Sequence, residues 1–563
     1  MPLEIDVTDP APPDPRAEQT MVPMRDGVRL ATDVFLASGP APSPTVLVRL
    51  PYDKGGRYTF MSDIAPSFTD RGYAFVVQDV RGKFRSEGET LAFVHEIDDG
   101  YDTLEWIVSQ PWCDGSVGMW GDSYYGYTQW AAVASEHPAL KAIVPRVTTA
   151  DLAGSTGDDP VIPLYLGEYL AMYWLDDRIY RWATDYAHRP LAEVFDEAIG
   201  RRSESFDRFV ATSAAREPLE HYPGNHPFDA LRIPVLHTGG WFDNIMPEQM
   251  RDYEALTGRA DVADLQYLEM NSTDHENYHL DLVPIGPEDD HDTDDEALAR
   301  MLPRYLRSAL DFFDRFLKGI DREIPRVRWH HGNVGWRTAP TWPPPGAREL
   351  RLHLASAERA PGAGGGRLAT TPETTATTAR WLHDPDDLVP STVVDPFSFL
   401  RECPNEAAVA SRPDVLTFTT DAFDRPLDLL GPVSIRVCIG STAPSTAVFA
   451  KLVDAAPDGS ALMLTRGQTM LRGPDPSRPV SVDLAHIGYR VLAGHRLRLQ
   501  LASSDSPLYL PPPGTEDDPW RATAGRPSDQ VLRVGNAEAF LSLTVDGSTR
   551  VAGPLEPCGD NVS

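Results

Sequence analysis

From about Thr20 the chain alternates two hydrophobic patterns. One is a short, unbroken apolar run, the mark of a strand buried on both faces of a parallel sheet. The runs "TVLVRLPY" (45–52), "GYAFVVQDVRG" (72–82), "SVGMWG" (116–121) and "LKAIVPRV" (140–147) are of this kind. The other is a longer stretch with apolar residues three and four apart, the pattern of a helix with one buried face. "DDGYDTLEWIVSQ" (98–110) opens on acidic residues and places Tyr101, Leu104, Ile107 and Val108 at helical spacing. "YYGYTQWAAVASEH" (124–137) predicts a second helix directly after Ser123. Ahead of these, "MVPMRDGVRLATDVFL" (21–36) predicts a hairpin turning at Asp26-Gly27. Strand, helix, strand, helix, strand in this order predicts a parallel α/β sheet.

The alternation stops at residue 150. Residues 150–228 hold no strong strand, and "LYLGEYLAMYWLDDRIYRW" (164–182) sets Leu166, Tyr169, Leu170, Tyr173 and Trp174 on one helical face. That predicts a helical cap inserted over the end of the sheet. Strands resume in "RIPVLHTGGW" (232–241) and "LQYLEMNS" (265–272), and the amphipathic "YLRSALDFFDRFLKG" (305–319) closes the α/β unit with Gly319 at its end. From residue 326 the style changes to short alternating runs such as "ELRLHLA", "VSIRVCIG", "HRLRLQLASS" and "EAFLSLTV", divided by Pro/Gly/Asp turns. That predicts an antiparallel β-sandwich. Within it, "SAERAPGAGGGRLATTPETTATTA" (356–379) reads as a mobile surface loop. The expected organisation is therefore a loose tail at 1–19, α/β segments at 20–149 and 229–325, a cap at 150–228 and a β domain at 326–563.

Composition narrows this picture in three ways. At 563 residues the chain is too long for one core, so more than one domain is expected. The 83 acidic residues outnumber the 51 basic ones, for a net charge of −32, which argues against nucleic acid and anionic membrane as partners. Four cysteines (Cys113, Cys403, Cys438, Cys558) show neither CxxC nor CxxH spacing, so reduced thiols in the cytoplasm are expected rather than a disulfide framework or a zinc site. The first twenty residues have no basic start and no apolar core, unlike a signal peptide, and no apolar run approaches the ~18 residues of a membrane helix.

The chemistry centres on "MWGDSYYGYTQW" (119–130), where Ser123 sits between glycines at a strand-to-helix junction. A serine hydroxyl is a poor nucleophile until a base takes its proton and a third group orients that base. In a parallel α/β sheet these partners follow later strands in the order Ser, Asp or Glu, His. Asp243 follows the strand at 232–241 and His275 the strand at 265–272, so the order is met. The competing readings are an ordinary Gly-rich turn for the serine, a turn aspartate in "WFDN", and His279 or His237 as the base.

These residues also carry a resemblance. "MRDGVRLATDVF", "PYDK", "GYAFVVQDVRGKFRSEGE", "QPWCDGSVGMWGDSYYGYTQW", "GGWFDN", "GPVSIRV" and "LAGHRLRLQLASSDSP" resemble the bacterial cocaine esterase group, which takes in α-amino acid ester hydrolases, glutaryl-cephalosporin acylases and, more distantly, X-Pro dipeptidyl-peptidases. The resemblance implies an α/β-hydrolase with a helical cap insertion, followed by an all-β jelly-roll domain. It implies Ser123 as nucleophile, Asp243 as triad acid and His275 as triad base, although "NSTDH" replaces the family's usual Gly-Pro-Trp before the histidine. It gives Tyr52 of "PYDK" and the backbone N–H of Tyr124 as oxyanion-hole donors. Trp120, Tyr169, Tyr173 and Trp174 are the candidate walls of a substrate pocket.

The expected function is a serine hydrolase that cleaves ester or amide acyl bonds of small molecules through an acyl-enzyme, with no cofactor and no metal. A dipeptidyl-peptidase-like or acyl-transferring enzyme, or a non-catalytic binder on a hydrolase scaffold, are the other readings. "EDDHDTDDE" (288–296) lacks the glycine and spacing of an EF-hand and reads as a solvated acidic loop. His330 and His331 read as structural.

Overall fold

The computed structural model describes residues 5–152, 161–215, 226–276, 295–362, 365–393, 395–402, 405–535 and 537–547. The strands of the first part are β1 (Asp6–Thr8), β2 (Glu18–Pro23), β3 (Arg29–Phe35), β4 (Ser43–Leu50), β5 (Ala74–Asp79), β6 (Cys113–Asp122), β7 (Leu140–Arg146), β8 (Ile179–Arg181), β9 (Val235–Gly240), β10 (Gln266–Asn271), β11 (Val327–His331) and β12 (Gly335–Ala339). Ten of them form one sheet in the order β12-β11-β10-β9-β7-β6-β4-β5-β3-β2, while β1 and β8 pair with each other. The centre of the sheet is parallel, and the β2–β3 hairpin and β12 are antiparallel edges.

The helices are α1 (Met61–Thr69), α2 (Glu96–Val108), α3 (Ser123–Ala134), α4 (Leu164–Tyr173), α5 (Val194–Ile199), α6 (Glu204–Ala215), α7 (Pro227–Ala230), α8 (Met246–Thr257) and α9 (Asp295–Phe316). Every residue of β4 is buried. Its side chains alternate: Val46 and Val48 join Phe68 of α1 and Phe313 of α9, and Leu47 joins Leu104 of α2 and Val133 of α3. The unbroken apolar run is thus a strand with helices on both faces. Removing one wedge of this layer, as in Phe313→Ala, should cost about 3–5 kcal/mol.

Beyond residue 340 eleven strands, from Ala347–Ala355 to Phe540–Asp546, build an all-β unit. Every described strand-to-strand ladder in it is antiparallel except that of Gly366–Ala369 with Leu416–Thr419, and an isolated parallel bridge joins Pro390 to Ser506. Its core is continuous with the first part: Trp241 lies 5.0 Å from Trp342, and Phe242 stacks on Phe399 at 5.6 Å.

Several expectations are corrected. Residues 5–19 are not a loose tail, because β1 pairs with β8 and the Ala11 N–H donates to Asp53 at 2.6 Å. Residues 164–182 are not one helix: α4 stops at Tyr173, and the polar "DDR" turn leads into β8. The low-complexity stretch is not all loop, since Gly366–Ala369 adds a strand that buries Leu368. β11 and β12 lie past residue 326 yet extend the α/β sheet, with Val327 and Trp329 buried. Among the described residues no helix is long and apolar enough to cross a membrane.

Candidate active site

Ser123 stands where β6 passes directly into α3, at φ 51°. An L-residue in this left-handed region is strained by roughly 1–2 kcal/mol, and the surroundings must hold it there. Two glycines make the corner possible. A Cβ on Gly121 would lie 2.0 Å from the Tyr125 ring, and one on Gly126 would lie 2.4 Å from Thr148. The first contact explains why Tyr125 can stand two residues after the serine, where a second glycine is more usual: its ring lies on the bare face of Gly121. Gly126 then lets α3 close on the end of β7.

Asp243 and His275 come from the turns after β9 and β10, and the backbone stitches these turns together. The Trp241 N–H donates to Asn271 O at 2.9 Å and the Phe242 N–H to Thr273 O at 3.1 Å. His275 Nδ1 then meets Asp243 Oδ1 at 2.9 Å, with both side chains almost wholly buried. Burial alone would lower the histidine pKa, but the carboxylates of Asp243 first, then Glu276 and Asp122, together outweigh it and the net shift is upward. Asp274 braces the "NSTDH" turn by accepting from the Leu400 N–H at 2.7 Å and the Glu276 N–H at 3.2 Å. Of the rival bases, His237 is buried in β9 beside Gln266 and its pKa falls to about 4, while His279 lies outside the described residues. So do residues 288–294 of the acidic stretch.

Tyr52 ends up over the elbow. Its hydroxyl is 3.1 Å from that of Tyr169, and the Ser123 hydroxyl and the Tyr124 N–H also bear on its oxygen. Burial drives its pKa well above the ordinary value, so the phenol keeps its proton. The Tyr124 phenol is spoken for: it accepts from the Phe93 N–H at 2.7 Å and donates to Glu96 at 2.9 Å. That leaves the backbone N–H of Tyr124, rather than its phenol, beside the Tyr52 hydroxyl.

Ser123, Asp243, His275 and Tyr52 line one cavity of about 750 Å³. Tyr169 and Tyr173, stacked at 4.7 Å, form part of its wall. The other two pocket candidates are elsewhere. Trp120 alternates to the α1/α9 face of the sheet, packed edge-on against Tyr305 at 5.5 Å. Trp174 lies behind the wall with its ring 5.0 Å from Tyr124. Sequence reasoning missed Tyr58, Glu276 and Phe397. The Tyr58 hydroxyl donates to Glu276 at 3.1 Å, and the Phe397 ring packs on His275 at 5.0 Å. The neighbour of His275 could have been suspected as a site residue; Phe397, from the β domain, gives no local signal. His330 and His331 are structural, bonded to Ser272 and Asp428.

The comparisons with known proteins fit this arrangement. Residues 26–277 match the model of the X-Pro dipeptidyl-peptidase S15 family, and residues 319–548 match the X-Pro dipeptidyl-peptidase C-terminal non-catalytic domain. The cocaine esterase of Rhodococcus sp. (strain MB1 Bresler) is 31% identical over 88% of this chain and 91% of its own length. The chain belongs to the S15 family. Its fold is that of solved relatives: an aminopeptidase from a marine sediment Thaumarchaeota archaeon (23% identity, 96% of this chain and 99% of that one) and an α-amino acid ester hydrolase (24% identity, 94% and 96%), each with a TM-score of 0.75. This S15 protein is accordingly a serine hydrolase of ester or amide acyl bonds, with an α/β-hydrolase fold followed by an all-β domain.

Proposed function

We propose that the chain is an esterase of bulky, aromatic acyl esters in which Ser123, His275 and Asp243 form the triad and Tyr52 with the Tyr124 N–H forms the oxyanion hole. The observation that carries this is the convergence of a strained Ser123 and the 2.9 Å His275–Asp243 pair on one cavity. His275, held by Asp243 through Nδ1, takes the Ser123 proton at Nε2 as Oγ attacks the acyl carbon. The negative charge gathers on the former carbonyl oxygen, where two aimed donors are each worth roughly 3–4 kcal/mol. Either hydroxyl can donate across the 3.1 Å Tyr52–Tyr169 contact, and in the orientation where Tyr169 donates, the Tyr52 proton is left for that oxyanion. His275 returns its proton to the leaving group, and water repeats the sequence to release the acid.

Aromatic side chains from three parts of the chain support the acyl preference: Tyr58, Tyr169, Tyr173, Trp182, Phe397 and Tyr509 all line the cavity. Burying an aryl group of roughly 100 Å² at ~25 cal/mol per Å² adds about 2.5 kcal/mol, or tens-fold in kcat/KM when the contact persists in the transition state. Acetate and benzoate esters of one alcohol test this, with Ser123→Ala as the blank. A tens-fold benzoate preference is expected, and equal rates would reduce the aromatic wall to packing. The unpaired, buried Cys113 and Cys438 support a reducing compartment, the cytoplasm.

A further inference from the structure

Lys83 is a fully buried lysine with no role in the chemistry above. Its ammonium donates to three backbone carbonyls: Tyr173 O at 2.6 Å, Asp176 O at 2.9 Å and Arg178 O at 2.8 Å. Tyr173 is the last residue of α4, and the other two carbonyls belong to the turn that follows. A cation there satisfies acceptors left open at a helix's carboxyl end and meets the negative end of its dipole. The next residue joins the grip, since the Phe84 N–H donates to Asp177 O at 2.8 Å. The Phe84 and Trp174 rings close over Nζ at 5.5 and 5.8 Å.

What this clasp fixes is the end of the helix that carries Tyr169 and Tyr173. Tyr173 meets Tyr52 edge-on at 5.6 Å, and Tyr169 holds the Tyr52 hydroxyl at 3.1 Å. We propose that Lys83 is a positioning residue for the reaction: by clasping the end of α4 it holds the Tyr169–Tyr173 pair against Tyr52 and so aims the phenol at the oxyanion. The inference rests on Tyr52 being the oxyanion donor. A neutral amine has only two N–H groups for three carbonyls, so the clasp is complete only when Lys83 is charged. Burial pulls its pKa from 10.5 down to about 7, and Asp176, Asp177 and Asp79, the carboxylates that face it, act in the opposite direction. The clasp should therefore loosen as pH rises, below the range in which an exposed lysine titrates.

The test compares Lys83→Met, Tyr52→Phe and the double variant on a benzoate ester, with kcat and KM measured from pH 6 to 10. Displacing a donor by a fraction of an ångström to one ångström is expected to lower kcat of Lys83→Met about 10- to 100-fold, with KM little changed. The double variant should be no slower than Tyr52→Phe. Wild-type kcat should fall on the alkaline side, and that fall should vanish in Lys83→Met. Lys83→Met at wild-type kcat beside a slow Tyr52→Phe overturns the inference and leaves the oxyanion reading standing. Tyr52→Phe at wild-type kcat overturns the reading itself. Should Lys83→Met fail to fold, the wild-type profile decides alone, and a kcat that is constant from pH 7 to 10 overturns the proposal.

Discussion

The elbow and the cap face each other across one cavity and hold their groups by opposite means. The elbow uses backbone. Ser123 is forced to φ 51° by a strand that turns into a helix without a spacer, and bare glycine faces make room for Tyr125 and Thr148. The cap uses side chains from distant parts of the sequence. Tyr169 and Tyr173 are placed by Tyr52, by Lys83 under the end of α4, and by β1 pairing with β8 beside them. The contrast predicts how each fails. A fault in the elbow should abolish chemistry, whereas a fault in the cap should grade the rate by how far the oxyanion donor moves.

The sharpest break in that contrast lies on the elbow side. Ser123→Ala and His275→Ala should each lower kcat by about 10⁴–10⁶-fold in steady-state assays while circular dichroism stays native. Tyr52→Phe removes one donor at the seam between the two regions and should cost about 10²–10³ in kcat, with KM nearly constant; a matching rise in KM would move Tyr52 from transition-state to ground-state binding. Tyr169→Phe deletes the hydrogen bond behind that donor, together with the hydroxyl's interaction with Trp174. A loss of about 2- to 10-fold is expected, and a loss as large as that of Tyr52→Phe would mean the cap itself touches the oxyanion. The pH profile sharpens the elbow side further. His275 must be neutral to accept a proton, and Asp243 raises its pKa above 6.5. The acid limb of kcat/KM should therefore fall above pH 6.5, and replacing Asp243 by Asn should move it down. The smallest effect is one of stability: Ser123→Gly relieves the strained φ and should raise the unfolding free energy by about 1 kcal/mol while abolishing activity.

The same contrast explains what was legible in the sequence. The elbow was readable because strand, serine, glycines and helix lie within twelve residues and each is required by local backbone geometry. The parallel strands were readable because burial on both faces leaves an unbroken apolar run. Asp243 and His275 were readable as the ordered residues past later strands, and the 2.9 Å contact between them fits that order. The cap was only half legible. A helical reading of 164–182 put Trp174 on the same face as Tyr169 and Tyr173, but the chain leaves the helix at Tyr173 and turns Trp174 inward onto Tyr124. That ending is capped by Lys83, ninety residues earlier, and the strand that follows pairs with β1, which the Pro-rich start of the chain disguised as a tail. Trp120 was misread because alternation along β6 decides its face, and that face belongs to α1 and α9. Phe397 could not be seen at all, since it reaches His275 from the β domain across more than a hundred residues.

The central claim is that Ser123 is a nucleophile activated by His275. A fluorophosphonate probe reads this directly, because only an activated serine displaces fluoride from phosphorus. Peptide mapping by mass spectrometry should find one adduct on the 119–130 segment at Ser123 in the wild type, and none in Ser123→Ala or His275→Ala. An unlabelled wild type, or a label that persists in His275→Ala at the wild-type rate, would contradict the account.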